Sequence, residues 1–333
     1  MPQGLSTPIE ITPVAIGSWE TVDLSAQLAP HAGQVSGIIL YIENISPILY
    51  WADAYGARRT GSSDTTLGWM WIDVALHQFV GIDNLNQLDL YRIDGNIKFW
   101  LKGFYTNDEA VFFTEPITHN NLVPGVWETH SIAAYTGADT PILAFVRVWE
   151  KLLPSDETAF RAVGATAIDA AKMTGALGVP VKVDAAQEFE AYVDNILFDI
   201  QIMGYQKLGA TMFIDKIDYQ TATVDSYVSV DYSVNVPASS NGVYYHLTNT
   251  QTDFIRIGAH RALGSGWDHW RGCDKQMWGW DLIDSNRFAQ QKINNSELDL
   301  FLLGYTTAPP STKLPFAGRA IHGGFHQFDG GLS

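Results

Sequence analysis

Residues 98–105 read Lys98-Phe-Trp-Leu-Lys-Gly103-Phe-Tyr105. Phe99, Leu101 and Gly103 fall on one side of an extended chain, and Lys98, Trp100 and Lys102 on the other. A period of two marks a β-strand with one face turned to a core. The stretch returns twice, as Asp199-Ile-Gln-Ile-Met-Gly204-Tyr205 and Asp299-Leu-Phe-Leu-Leu-Gly304-Tyr305. Its glycines recur every ~100 residues, the length of one small domain.

Other landmarks keep this period. The pairs Ile82-Asp83, Val183-Asp184 and Ile283-Asp284 precede the three glycines at a constant distance. An aromatic opens each copy, in Trp19-Glu-Thr-Val-Asp23, Trp127-Glu-Thr-His-Ser131 and Tyr227-Val-Ser-Val-Asp231. Strand-like runs follow at Gly37-Ile-Ile-Leu-Tyr-Ile42, Ile142-Leu-Ala-Phe-Val-Arg-Val148 and Gly242-Val-Tyr-Tyr-His-Leu247. A middle motif comes next: Tyr55-Gly-Ala-Arg-Arg-Thr-Gly61, Phe160-Arg-Ala-Val-Gly164 and Ile257-Gly-Ala-His-Arg261 with Gly264-Ser265. Chance does not hold so many ordered landmarks in register, so the chain reads as three tandem copies of one unit.

Turn residues separate the strand-like runs, as in Asp94-Gly95, Asn241-Gly242, Gly61-Ser62 and Asn294-Asn295. The recurring Asp83, Asp184 and Asp284 are expected to make side-chain turns at strand ends. The recurring glycine is expected to mark a bulge or a close approach between sheets. Only short helices are expected, around Asp169–Met173 and Asp284–Lys292. The fold class is therefore all-β: three tandem β-sandwich, jelly-roll-like repeats at 17–107, 125–208 and 225–308. Residues 114–124 and 216–226 read as linkers, 1–16 as an N-terminal arm and 309–333 as a C-terminal tail. In the tail, Phe316, Phe325 and Phe328 are candidate anchors for a neighbouring subunit.

Composition excludes several function classes. The formal net charge is −16 and the 20 basic residues are scattered, which argues against a nucleic-acid partner. Cys273 is the only cysteine, so the chain can close no disulfide within itself and no thiolate zinc site. The N-terminal residues have neither a basic nor an apolar signal region, and no window approaches the ~18 apolar residues of a membrane span. The expectation is a protein that folds in a cytosol, without a membrane partner. No GxSxG, HExxH, P-loop or helix-opening GxGxxG is present. His260, His269 and Cys273 lie close in sequence, but their spacing fits no metal motif. The reading is no enzyme, no catalytic residue, no cofactor and no metal. A glycan-cleaving pair of carboxylates roughly 5–10 Å apart stays open as a weaker alternative.

One segment stands out: Trp267-Asp-His-Trp270-Arg-Gly-Cys-Asp-Lys-Gln-Met-Trp278-Gly-Trp280. The first copy carries Trp69 and Trp71 in the matching region, and the second carries none. Such rings fill a core or an interdomain seam, dock another subunit, or stack on sugars. These six tryptophans are the candidate binding residues, for a glycan or a subunit contact.

The repeat resembles a module of tailed-bacteriophage virion structural proteins. The resemblance rests on Trp19-Glu-Thr-Val-Asp-Leu-Ser25, Gly56-Ala-Arg58-Arg-Thr-Gly61-Ser-Ser-Asp64, Val80-Gly-Ile-Asp83 and Gly103-Phe-Tyr105 in the first copy. The second keeps Val183-Asp-Ala185 and Gly204-Tyr205, and the third keeps Gly258-Ala-His-Arg261, Gly264-Ser265 and Gly304-Tyr305. It implies a fibre, tail or capsid-surface component, assembled in the host cytoplasm and carried in the virion. Its partners would be copies of itself and other virion proteins. The rival expectation is a carbohydrate-binding host-adhesion module that uses the Trp-rich segment.

Overall fold

The computed structural model describes residues 2–307 except 47–52, 71–73, 120–121, 151–156, 167–170, 173–176, 196–197, 220–223, 250–255, 266–270, 274–275 and 294–297. The first set of strands is β1 (Gln3–Glu10), β2 (Glu20–Asp23), β3 (Val35–Asn44), β4 (Asp53–Arg59), β5 (Gly68–Met70), β6 (Ala75–Gly81), β7 (Gln87–Arg92) and β8 (Ile97–Thr106). The second is β9 (Ala110–His119), β10 (Trp127–Ser131), β11 (Leu143–Glu150), β12 (Glu157–Ala162), β13 (Ala171–Lys172), β14 (Leu177–Lys182), β15 (Glu188–Val193) and β16 (Phe198–Gln206). The third is β17 (Ala210–Asp218), β18 (Val228–Asp231), β19 (Ser240–Asn249), β20 (Arg256–Ala262), β21 (Arg271–Cys273), β22 (Gln276–Leu282), β23 (Phe288–Ile293) and β24 (Leu298–Thr307).

Each set forms two four-stranded antiparallel sheets. Their orders are β1-β8-β3-β6 with β2-β7-β4-β5, β9-β16-β11-β14 with β10-β15-β12-β13, and β17-β24-β19-β22 with β18-β23-β20-β21. Counted within a repeat, the order is 1-8-3-6 and 2-7-4-5 every time. This is the connectivity of the eight-stranded jelly roll, so the all-β, jelly-roll-like expectation holds.

Two details differ from the sequence reading. Gln3–Glu10, expected as a free arm, is the outer strand of the first sheet and pairs with β8. Its counterparts β9 and β17 extend into the stretches that had read as linker, taking up 114–119 and 216–218. Pro8 obscured β1 and Pro116 obscured β9, and a proline is tolerated at a sheet edge, where no ladder hydrogen bond is lost. The helix expected around 284–292 is a turn followed by β23, because Arg287 adopts a φ of 70° that no α-helix accepts. Of the helix expected around 169–173, residues 171–172 form β13 and the remainder lies outside the described residues.

The two sheets of a repeat are buried differently. In β15 and β23 every second residue is covered, so this sheet type shows water one of its faces. In β6 and β16 every residue is buried, on both faces. The outer face of the β8-type sheet is covered by the other repeats. Strands β6, β14 and β22 each pack against the other two, and β9 packs on β6, β17 on β14 and β1 on β22. The three jelly rolls thus close a ring about a pseudo-threefold axis. A cluster of Ile39, Phe79, Phe112, Phe145, Tyr244 and Trp280 fills its centre. Phe145 stacks on Phe79 and Phe112, with ring centroids 4.9 and 5.0 Å away. Ile39, Phe145 and Tyr244 occupy one equivalent position, facing Phe79, Pro180 and Trp280 on the neighbouring strands.

Candidate functional site

The threefold landmarks resolve into backbone devices. Asp83, Asp184 and Asp284 each accept hydrogen bonds through Oδ1 from the backbone N–H groups two and four residues on, at 2.7–2.9 Å. The residue three positions on has a positive φ in each case: Asn86, Gln187 and Arg287. These carboxylates tie β-turns, as their repetition suggested. Gly103, Gly204 and Gly304 sit beside β-bulges in β8, β16 and β24. A Cβ there would fall under 3.0 Å from the carbonyl oxygen of Gln3, Val111 or Thr211, so the close approach is between strands of one sheet.

The outer faces carry a third device. Arg58 lies over the Trp19 ring, Arg161 over Trp127 and Arg261 over Tyr227, with the guanidinium carbon 4.2, 3.9 and 3.4 Å from the ring centre. The same arginines donate through Nε to Asp89 at 3.2 Å, Glu190 at 2.6 Å and Gln290 at 3.0 Å. Cation–π stacking and a charge-assisted hydrogen bond therefore pin one guanidinium flat on each outer sheet.

The residues in the bulges are Lys102, Met203 and Leu303. A bulge re-aims its side chain, and here it aims out of its own repeat. Met203 joins the central cluster and Leu303 packs against it. Lys102 reaches from the first repeat into the third and forms an ion pair with Asp281. Asp281 also accepts from His260 Nδ1 at 3.0 Å, and His260 Nε2 meets the Tyr232 hydroxyl at 2.8 Å. Lys102 Nζ lies 3.1 Å from His77 Nε2. All five side chains are buried. Burial pushes the Asp281 carboxyl up, but Lys102 and His260 together hold it below the usual carboxylate range. Burial depresses His77 well below the ordinary imidazole value, and the Lys102 charge adds to this. The constellation has the residue types of an acid–base site, but a cleft that reaches Lys102 and Asp281 past Leu5 and Pro8 has room for about one water. What the arrangement does is join the first repeat to the third.

The other two seams use different groups. Between the first and second repeats, Arg147 is paired with Asp64 and donates to Gln201 at 2.8 Å. The turn at Ser62 and Ser63 binds Glu115 of the second repeat at 3.0 and 2.7 Å. Between the second and third, the equivalent turn at Thr166 binds Asp215 at 2.9 Å. Sequence reading assigned none of these residues to a seam, although Ser62, Ser63 and Asp64 stood in the 56–64 motif.

The candidate tryptophans are dispersed. Trp280 is 1% exposed in the central cluster, with Nε1 donating to Thr306 at 3.2 Å. Trp278 is 4% exposed and stacks on His246, ring centroids 4.3 Å apart and 2° from parallel. Trp280 offers no face to a sugar or a partner, which corrects its reading as a binding residue; Trp278 is buried too, but it lines a cleft beside His246. Trp69, on β5, is 50% exposed. Trp71, Trp267, Trp270, Phe316, Phe325 and Phe328 lie outside the described residues. Among the described residues no group of three or more His, Cys, Asp or Glu is placed to hold a metal ion. No protein-family model matches the chain, and no curated protein is similar to it.

Proposed function

We propose that this chain is a virion structural protein of a tailed bacteriophage, a capsid-surface, tail or fibre component that acts by homo-oligomeric assembly without catalysis. The observation that carries the proposal is the closed ring of three jelly rolls. The jelly roll is an architecture of viral capsid and lectin domains, and a ring fused into one chain is a rigid block suited to repeated placement in a particle. The sequence resemblance in the first repeat points the same way. The test is native mass spectrometry with negative-stain imaging of the purified protein, and a mass-spectrometric inventory of purified phage particles. Ordered oligomers and a place in that inventory are expected. A monomer at all concentrations that is missing from particles would refute the proposal.

The second reading is a host-adhesion module that binds carbohydrate. Its one favourable observation is half-exposed Trp69, an aromatic face open to a sugar. A glycan array separates the two: specific binding lost in Trp69→Ala supports adhesion, and no binding removes it.

A further inference from the structure

The three seams are built from equivalent positions but are not equally filled. Phe79 and Trp280 place a ring at one position of the inner strand, and Pro180 replaces that ring at the seam between the second and third repeats. A cleft opens there, with Val179, Val181, Met212 and Leu303 along its apolar side. Arg161, Lys182 and Lys216 also line it, and no carboxylate is among its lining residues. Of these cations, Arg161 is already paired with Glu190 on its own outer sheet. This lining is unusual in a chain whose formal net charge is −16.

A second observation points to a ligand. His246, 2% exposed, lines the same cleft, and its Nε2 has no hydrogen-bond partner. A buried polar atom left without a partner costs about 1–3 kcal/mol, so such atoms mark places where another group completes the bonding. Trp278 stacks on the imidazole and fixes the plane in which Nε2 points.

We propose that the cleft between the second and third repeats binds a small organic carboxylate with an apolar body. The carboxylate lies toward Lys182 and Lys216, one of its oxygens accepts from His246 Nε2–H, and the apolar body packs on Val181 and Leu303. Burial first and the Lys216 charge second drive the His246 imidazole well below its usual value, against a side-chain hydrogen bond with Gln276. In the proposed site the single proton of the neutral ring therefore sits on Nε2, with the Gln276 amide donating to the other nitrogen. The site does not depend on the virion reading.

Isothermal titration calorimetry on the full chain tests this with hexanoate and benzoate as probes. Hexanol supplies the apolar body without charge, and inorganic phosphate supplies charge without the body. The expected result is that a carboxylate binds at least tenfold more tightly than either control, and that Lys182→Glu weakens it tenfold or more. Leu303→Trp, which fills the cleft, should abolish binding while thermal unfolding confirms that the variant is folded. His246→Phe keeps the stack on Trp278 and removes the donor, and should weaken the carboxylates but not hexanol. Absence of carboxylate binding, equal binding of hexanol or phosphate, or carboxylate binding unchanged in folded Lys182→Glu would each overturn the proposal.

Discussion

Lys102 and Asp281 form an ion pair in which each side chain is 5% exposed, although one belongs to the first repeat and the other to the third. Removing one partner leaves the other charge buried and uncompensated, which costs about 3–5 kcal/mol. Lys102→Met and Asp281→Val should each lower unfolding stability by that amount in urea titration. The double variant should recover most of the loss, because Met203 and Val181 occupy those positions in the second repeat. Additive losses in the double variant would mean that the two residues act independently.

His130 is buried beside His119, with Nδ1 atoms 3.3 Å apart. Burial first, and the neighbouring imidazole second, lower its pKa from 6.5 to about 4. The unfolded chain therefore binds a proton that the folded chain refuses between these values. The contribution to stability is complete above pH 6.5 and is lost as the pH falls toward 4, at most about 3 kcal/mol. Melting temperature should fall over this window, and less steeply in His130→Phe. Parallel pH profiles for the two proteins would assign the loss to other groups.

Gly204→Ala should destabilise by about 1–3 kcal/mol, since the new methyl group meets a strand backbone that has no room to move. Gly103→Ala and Gly304→Ala should match it, because the three positions are structurally equivalent. Gly95→Ala serves as the control: nothing lies within 4 Å of its Cβ position, and its φ is not positive. Chemical denaturation of the four variants decides this, and a harmless Gly204→Ala would sink the account of the bulge.

Asp184→Ala removes the acceptor for the backbone N–H groups of Ala186 and Glu188. A loss of about 1.5–3 kcal/mol is expected, the range for hydrogen bonds to a charged group. Calcium addition or chelation should leave the melting temperature of the wild type unchanged, because the same oxygen already serves two backbone donors. A calcium-dependent rise of several degrees would show that a bound ion, not the turn, explains the threefold aspartate.

Trp278→Ala should cost about 3–5 kcal/mol, the range for emptying a large buried ring site. Trp69→Ala should change stability by less than about 0.5 kcal/mol, as expected of an exposed side chain. Thermal unfolding of the two variants provides the comparison.

What repeats three times was legible in the sequence. Asp83, Gly103 and their counterparts answer to backbone geometry, which each copy must solve in the same way, so the pattern returned at a fixed period. The edge strand β1 escaped notice because Pro2, Pro8 and a bulge between Gly4 and Ile9 interrupt its alternation. The ion-pair residues of the seams escaped for a different reason: each occurs once. Asp281 stands where Val80 and Val181 stand in the other copies, and Lys102 where Met203 and Leu303 stand. A charge in an otherwise apolar column was a visible signal, but its partner is set by how the copies pack, which no single repeat encodes. Trp278 and Trp280 misled because a tryptophan cluster in sequence is divided in space between a histidine stack and the ring centre.

Because one chain makes the whole ring, each seam exists once per molecule. In a ring of three identical subunits, any change at the contact would appear three times. Replacing Val80 by aspartate there would bury three carboxylates and demand three lysines. Covalent fusion removes that constraint: one corner holds a salt link, another an Arg–Asp pair, and the third is left hollow. A near-symmetric frame carried on one chain thus has three separately adjustable joints, each of which a single substitution can change alone.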